Sequence, residues 1–318
     1  MRPIALSGHE RSITSIKYNR EGDLIFSAAK SPAICVWYSD SGERLGTYEG
    51  HTGAVWSIDV DNETQHLLSA AADSTVRQWD VETGREINTI RHKVAVRDVG
   101  YSYGEKLFFT ITDAIIRNKA TIQILDTTQK PSKPIVKINV NSESKVYNAI
   151  WGPRNQTVYT AGEDGSVRIF DVRTGKELKI ITDHTKPVTQ IVQSKDGVLF
   201  ATCSKDGTCR SLQHLKTYTT GRPINSCSIS PLKEEVIVGG GQEASNVALM
   251  KVDSAQFKVR FFHMIYEDDI GGIPGHFGPV NQVVFQPDGR GFASGGEDGF
   301  VRLHHFDSDY FTKFGLDD

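Results

Sequence analysis

The chain has 318 residues, 38% of them apolar and 24% charged, with 36 Lys and Arg against 39 Asp and Glu. That length can bury a sizeable core, as one large domain or two ordinary ones, and a net charge of −3 gives no basic field for collecting nucleic-acid phosphates. No stretch approaches the roughly 18 apolar residues of a membrane span, the apolar run at Met1 to Gly8 is too short for a secretory signal, and the four cysteines (Cys35, Cys203, Cys209, Cys227) are too sparse for a disulfide framework. The expectation is a soluble cytoplasmic protein with no membrane contact and no sequence-specific nucleic-acid binding of its own.

In chain order, a short apolar run, Pro3-Ile4-Ala5-Leu6, precedes the first Gly8-His9, and from there one unit recurs. Unit 1 (roughly 8–48) carries His9, Ser27 and Trp37, with Ser31 where other units have Asp. Unit 2 (50–90) has a full set: His51, Ser69, Asp73 and Trp79. Unit 3 (92–138) opens on Arg91-His92, closes its apolar run at Thr110, takes an insertion around Asp113 to Ala120 and ends weakly on Leu125-Asp126. Unit 4 (142–182) has Ser142 at the His position, then Thr160, Asp164 and Phe170. Unit 5 (184–219) keeps His184, Thr202 and Asp206 but ends in Leu212. Unit 6 (221–264) lacks both His and Trp and rests on its spacing and the run Val236-Ile237-Val238. Unit 7 (276–306) keeps His276, Ser294 and Asp298, with His304 in the Trp slot.

Within each unit, short alternating segments such as Thr75 to Trp79 read as strands, and the Asp-Gly pairs between them read as tight hairpins. A period of about 40–45 residues, with Gly-His early and Trp-Asp late, resembles the WD40-repeat family. The expected fold is therefore all-β: a single domain over 1–318, a seven-bladed WD40 β-propeller. Pro3 to Leu6 has no unit of its own, and is expected to supply the outer strand of blade 7, closing the ring and removing a sheet edge. The recurring types follow from burial. A buried imidazole or carboxylate costs roughly 1–3 kcal/mol unless partnered, so His, Ser or Thr, Asp and Trp should bond to one another within a blade.

Chemical motifs are few. Five His fall in the His slot and His304 in the Trp slot, while His66, His214, His263 and His305 show no metal-ligand spacing. Cys203 and Cys209 flank the Lys205 to Thr208 turn and are expected to be two buried thiols. Gly239-Gly240-Gly241-Gln242 lacks the ending of a phosphate loop and reads as a turn. Arg77, Arg168, Arg210 and Arg302 each stand two before the Trp slot, which points to blade packing. No catalytic constellation, metal or cofactor is expected, and the chain is not expected to be an enzyme. What remains is surface. The residue after each aliphatic anchor should lie on the narrow rim: Thr14, Trp56, Arg97, Tyr147, Thr189, Asn225 and Asn281. Trp56, Arg97 and Tyr147 are of the types enriched in interface hot spots, although packing between blades would explain Trp56 and Tyr147 as well.

Several stretches go beyond generic WD40 pattern: Gly8 to Thr14, Tyr18 to Asp23, Gly42 to Tyr48, Gly239 to Ala244, Phe257 to His263, Gly275 to Pro279 and Gly295 to Phe306. In these the chain resembles the I-subunit family of eukaryotic translation initiation factor 3. The resemblance implies a non-catalytic scaffold that binds the B and G subunits and supports 40S recruitment and mRNA translation initiation. It also favours the junction of blades 5 and 6, around Tyr218, Arg222 and Asn225, as the place for a segment of the B subunit. An apolar groove is expected there, because Leu212 replaces Trp and blade 6 has lost its His. A WD40 adaptor of a signalling or ubiquitin-ligase complex is the competing expectation.

Overall fold

Seven four-stranded antiparallel sheets follow one another along the chain. The computed structural model describes residues 3–114, 119–128, 133–140, 144–212, 216–241 and 257–312. Each sheet is one blade. The innermost strands are Ile13–Tyr18, Val55–Val60, Val96–Tyr101, Val146–Trp151, Val188–Gln193, Ile224–Ile229 and Val280–Phe285. Apolar side chains leave both faces of the blades and meet those of the next blade. Leu6, Ile13, Ile16, Val301 and Leu303, for example, are packed between blades 7 and 1. The core of the ring is thus a set of junctions rather than one centre.

The ring closes as the N-terminal run requires. Ile4–Leu6 is the outer strand of blade 7, with Ile4 opposite Leu303, Ala5 opposite Arg302 and Leu6 opposite Val301. Blade 6 departs from its expected span of 221–264. Its third strand is Lys258–His263, which places Phe262 opposite Val236 in the slot that Trp79 holds opposite Leu67. Its outer strand is Asp269–Pro274, beyond the expected end. A Phe in the Trp slot and a long separation between the second and third strands hid both from a reading by spacing. The turn expected at Gly239 to Gln242 begins as a strand end, and its Gln242 lies outside the described residues, as do Ser142 and His214.

Every blade shares one irregularity. Pairing between the first two strands slips between the first and third residues of the inner strand, at Ile13/Ser15, Val55/Ser57, Val96/Asp98, Val146/Asn148, Val188/Gln190, Ile224/Ser226 and Val280/Gln282. The skipped residues are Thr14, Trp56, Arg97, Tyr147, Thr189, Asn225 and Asn281. A bulge re-aims the side chain that it carries. All seven line the central channel, a space of about 480 Å³.

Candidate functional site

The buried polar sets hold the blades from within. In blade 2, His51 Nδ1 lies 2.9 Å from Asp73 Oδ2 and its Nε2 2.7 Å from Ser69 Oγ, which also accepts the Trp79 Nε1–H at 2.8 Å. A donor at Nδ1 fixes the tautomer, so Ser69 donates to Nε2 and the bonds run in one direction from Trp79 to Asp73. Burial pushes His51 below the usual imidazole range. Burial works to raise Asp73, but hydrogen bonds from Thr75, the Thr52 N–H and His51 outweigh it and hold the carboxyl low.

Blades 5 and 7 repeat the set. His184 joins Asp206 and Thr202, each at 2.9 Å. His276 joins Asp298 at 3.0 Å and Ser294 at 2.8 Å. In blade 7, Arg302 donates to Asp298 at 2.9 Å and its guanidinium lies beside His276, while His304 stacks on Phe292 with ring centroids 4.4 Å apart. Blade 1 shows what the missing Asp does: His9 Nδ1 is buried without a protein partner, and burial lowers the His9 pKa to about 4. The arginines two before the Trp slot are committed to the sheets, Arg77 to Glu86 and Arg168 to Asp164 and Glu177.

At the channel mouth, the bulge residues divide into two kinds. Four bond to the inner strand of the following blade. Thr14 Oγ1 donates to Val55 O at 2.6 Å, Thr189 Oγ1 to Ile224 O at 3.0 Å, Asn225 Nδ2 to Val280 O at 3.0 Å and Asn281 Nδ2 to Ile13 O at 3.0 Å. The other three are Trp56, Arg97 and Tyr147, on consecutive blades, and none of them makes this bond. Arg97 instead lies over the Trp56 ring, 4.5 Å from its centroid, and pairs with Asp113 at 2.9 Å. The Tyr147 hydroxyl donates to Glu163 Oε1 at 3.0 Å. All three are half-buried. Deeper in the channel the blades are linked throughout this arc, by Asp59 accepting from Tyr101 N–H, Asp98 from Ala149 N–H and Asn148 from Ile191 N–H. Burial raises the Asp98 pKa to about 6. The blades of this arc are therefore linked below the three rim residues, which are held ready by neighbours of their own.

At the junction of blades 5 and 6, Tyr218 is 3% exposed, packs on Phe262 and donates its hydroxyl to Met264 O at 2.9 Å. Asn225 is one of the four linking residues. Arg222 is exposed. Leu212 packs toward blade 4. The expected apolar groove is filled by Cys203, Cys209, Ile224, Cys227 and Val236. The groove that does open beside Arg222, about 560 Å³, is polar, lined by Thr220, Lys258, Arg260, Asp269 and glycine backbone.

Cys203 and Cys209 face each other across their hairpin, but Cys203 is joined to Cys227 of blade 6, so only Cys209 of the expected thiol pair is free. These three sulfurs are the one group of ligand atoms, among the described residues, close enough to surround an ion. With two of them joined, and burial pushing the Cys209 thiol up to about 12, the group offers no thiolate for one.

A ring of seven bulged blades, held by His, Ser or Thr, Asp and Trp sets, defines a WD40-repeat propeller. Comparison with known proteins narrows the class. The family model described as EIF3I matches residues 1–317. Eukaryotic translation initiation factor 3 subunit I of Nematostella vectensis is 48% identical over 98% of both chains, that of Taeniopygia guttata 45% identical over 98% of both, and that of Dictyostelium discoideum 44% identical over 98% of this chain and 96% of its own. The chain belongs to the family of eukaryotic translation initiation factor 3 subunit I. No described helix is long and apolar enough to cross a membrane.

Proposed function

We propose that this chain is a non-catalytic scaffold subunit of translation initiation factor 3 in the cytoplasm. In this reading it holds the B and G subunits, and through the assembled factor supports recruitment of the 40S ribosomal subunit and mRNA. Family membership over nearly the full length supports the assignment. The buried His, Ser, Thr and Asp side chains are committed to the blades, which leaves the faces of the ring as its working part.

The observation that carries the placement of the contact is the break in the rim bonds at Trp56, Arg97 and Tyr147. An aromatic, an Arg and a Tyr, pre-positioned by neighbours and not bonded to a carbonyl of the next blade, suit a desolvated anchor contact. The polar groove beside Arg222 supports a second contact, at the junction that the family resemblance favours for the B subunit's C-terminal segment.

The test is an affinity pull-down read by mass spectrometry, followed by binding of the B-subunit segment and of the G subunit to Trp56→Ala, Arg97→Ala, Tyr147→Ala and Arg222→Ala proteins of unchanged melting midpoint. Truncating an anchor should weaken binding by about 2 kcal/mol. Weakening by Arg222→Ala alone would move the contact to blades 5 and 6. Unchanged binding in all four variants would refute both placements, and a pull-down without initiation-factor subunits would refute the function.

A further inference from the structure

A third opening lies outside the channel, between blades 2 and 3. This groove of about 540 Å³ is lined by four exposed cations, Arg91, Lys93, Lys119 and Lys137, with His92 at its floor. No carboxylate lines it among the described residues, and none of the four cations has an ion pair there. In a chain of net charge −3 this concentration is out of proportion.

The pattern of the other blades shows how it arises. In blades 2, 4 and 6 the third strand carries Arg77, Arg168 or Arg260, and the residue opposite the Trp slot on the outer strand is Glu86, Glu177 or Asp269. Each Arg pairs with that acid. In blade 3, Gln123 stands at the Arg position and Pro134 at the acid position, while Lys137 faces Gln123 from the outer strand. Blade 3 has lost both partners of the internal ion pair and gained a cation without one. Burial lowers the His92 pKa to about 4, with the Lys137 charge adding to the effect.

We propose that the groove between blades 2 and 3 docks an acidic peptide segment of a partner protein. Four cations without an ion pair and no carboxylate, among the described residues, supply the charge complementarity. Arg91 offers a planar fork for a carboxylate and the lysines offer point charges. Gln123, Asn139 and Thr121, side by side on the groove wall, present donors and acceptors that match a peptide backbone. A single-stranded RNA fits less well, because the lining holds no Phe, Tyr or Trp, and the one aromatic ring, His92, is half-buried at the floor. The proposal is independent of the rim and of the groove beside Arg222.

Fluorescence anisotropy with the full chain tests it, using a labelled octaglutamate peptide, a Gly-Ser peptide of equal length and an oligouridylate of equal length. Octaglutamate should bind at least about tenfold more tightly than the Gly-Ser peptide, and added salt should weaken it. The double variant Lys93→Glu/Lys137→Glu should abolish the difference. Lys179→Glu, an exposed lysine of blade 4, should leave it unchanged. If the charge reversal unfolds the chain, Lys93→Gln/Lys137→Gln takes its place. Equal binding of the two peptides, or full octaglutamate affinity in a folded double variant, would overturn the proposal. So would tighter binding of oligouridylate, which would assign the groove to RNA.

Discussion

Replacing Asp73 by Ala should destabilise the ring by about 3 kcal/mol, since buried donors left unsatisfied cost roughly 1–3 kcal/mol each. Asp73 accepts four hydrogen bonds: from His51 Nδ1 at 2.9 Å, from the backbone N–H of Thr52 and of Thr75 at 3.0 Å each, and from Thr75 Oγ1 at 2.6 Å. Thr52 is exposed and regains water, but His51 and Thr75 are buried and do not. For a chain of this size the melting midpoint should fall by roughly 5 °C. Differential scanning calorimetry at neutral pH reads it directly. Asp206→Ala in blade 5 should behave alike, because the His184 and Thr202 geometry is the same although Leu212 stands in for Trp. A change below about 0.5 kcal/mol in both variants, within the range of ordinary surface substitutions, would refute the claim that these sets hold the blades.

Further expectations concern other parts of the ring. Deleting residues 1–6 removes the partner of Val301 to Leu303, so hydrogen exchange should accelerate there and soluble yield should drop; retained protection would mean that another segment closes blade 7. His304 is buried and held neutral, its pKa lowered to about 3 by burial first and then by the neighbouring charges of His276, Arg302 and His305. The unfolded imidazole titrates near pH 6.5, so below that value the unfolded chain binds protons that the folded chain cannot, and stability falls with pH. His304→Phe should shrink the loss of melting midpoint between neutral pH and about pH 5, which takes in the upper part of the window from 6.5 down to about 3; an unchanged loss counts against it. Ser74 holds a left-handed backbone (φ 64°) at the turn position where Gly165, Gly207 and Gly299 stand in blades 4, 5 and 7. Ser74→Gly should therefore raise the midpoint, by about 1 kcal/mol of relieved strain, and a lower midpoint would show that the Ser side chain contributes more than the strain removes. Asn281→Ala should cost roughly 1–2 kcal/mol by breaking the link from blade 7 to blade 1.

Blade number, ring closure and the polar sets were legible because burial restricts which residues can stand there. A His at the start of a unit, a Ser or Thr inside and an Asp at the turn leave a fixed spacing whatever the surface does. Blade 6 was legible only as far as Val238. Its Trp slot is filled by Phe262, which generic patterning cannot tell from any other apolar strand residue, and the segment before that strand broke the period. The seven residues after the aliphatic anchors all line the channel, but their division into two kinds was not legible. Thr14 and Asn281 act on carbonyls of the next blade, which no local pattern records. Tyr218 was expected beside an open apolar groove at the junction of blades 5 and 6, but it is buried; its partners, Phe262 and Met264, belong to the blade whose third strand the spacing missed. The basic groove escaped for a similar reason. Its four cations are spread from Arg91 to Lys137 in a chain whose total charge is negative, and only the folding of two blades brings them together.

The strand that closes the ring also sets the order of events during synthesis. Ile4–Leu6 are made long before their partners Val301 to Leu303. Until then, six blades can form from neighbouring strands alone, while the seventh waits for a contact across almost the entire chain, a slow step for loop-closure reasons. A nascent or truncated chain therefore displays an open strand at one end and an unfinished blade at the other, both surfaces that invite chaperones and proteases. Closure of the ring thus depends on residues as far as Leu303 being present together with Ile4–Leu6.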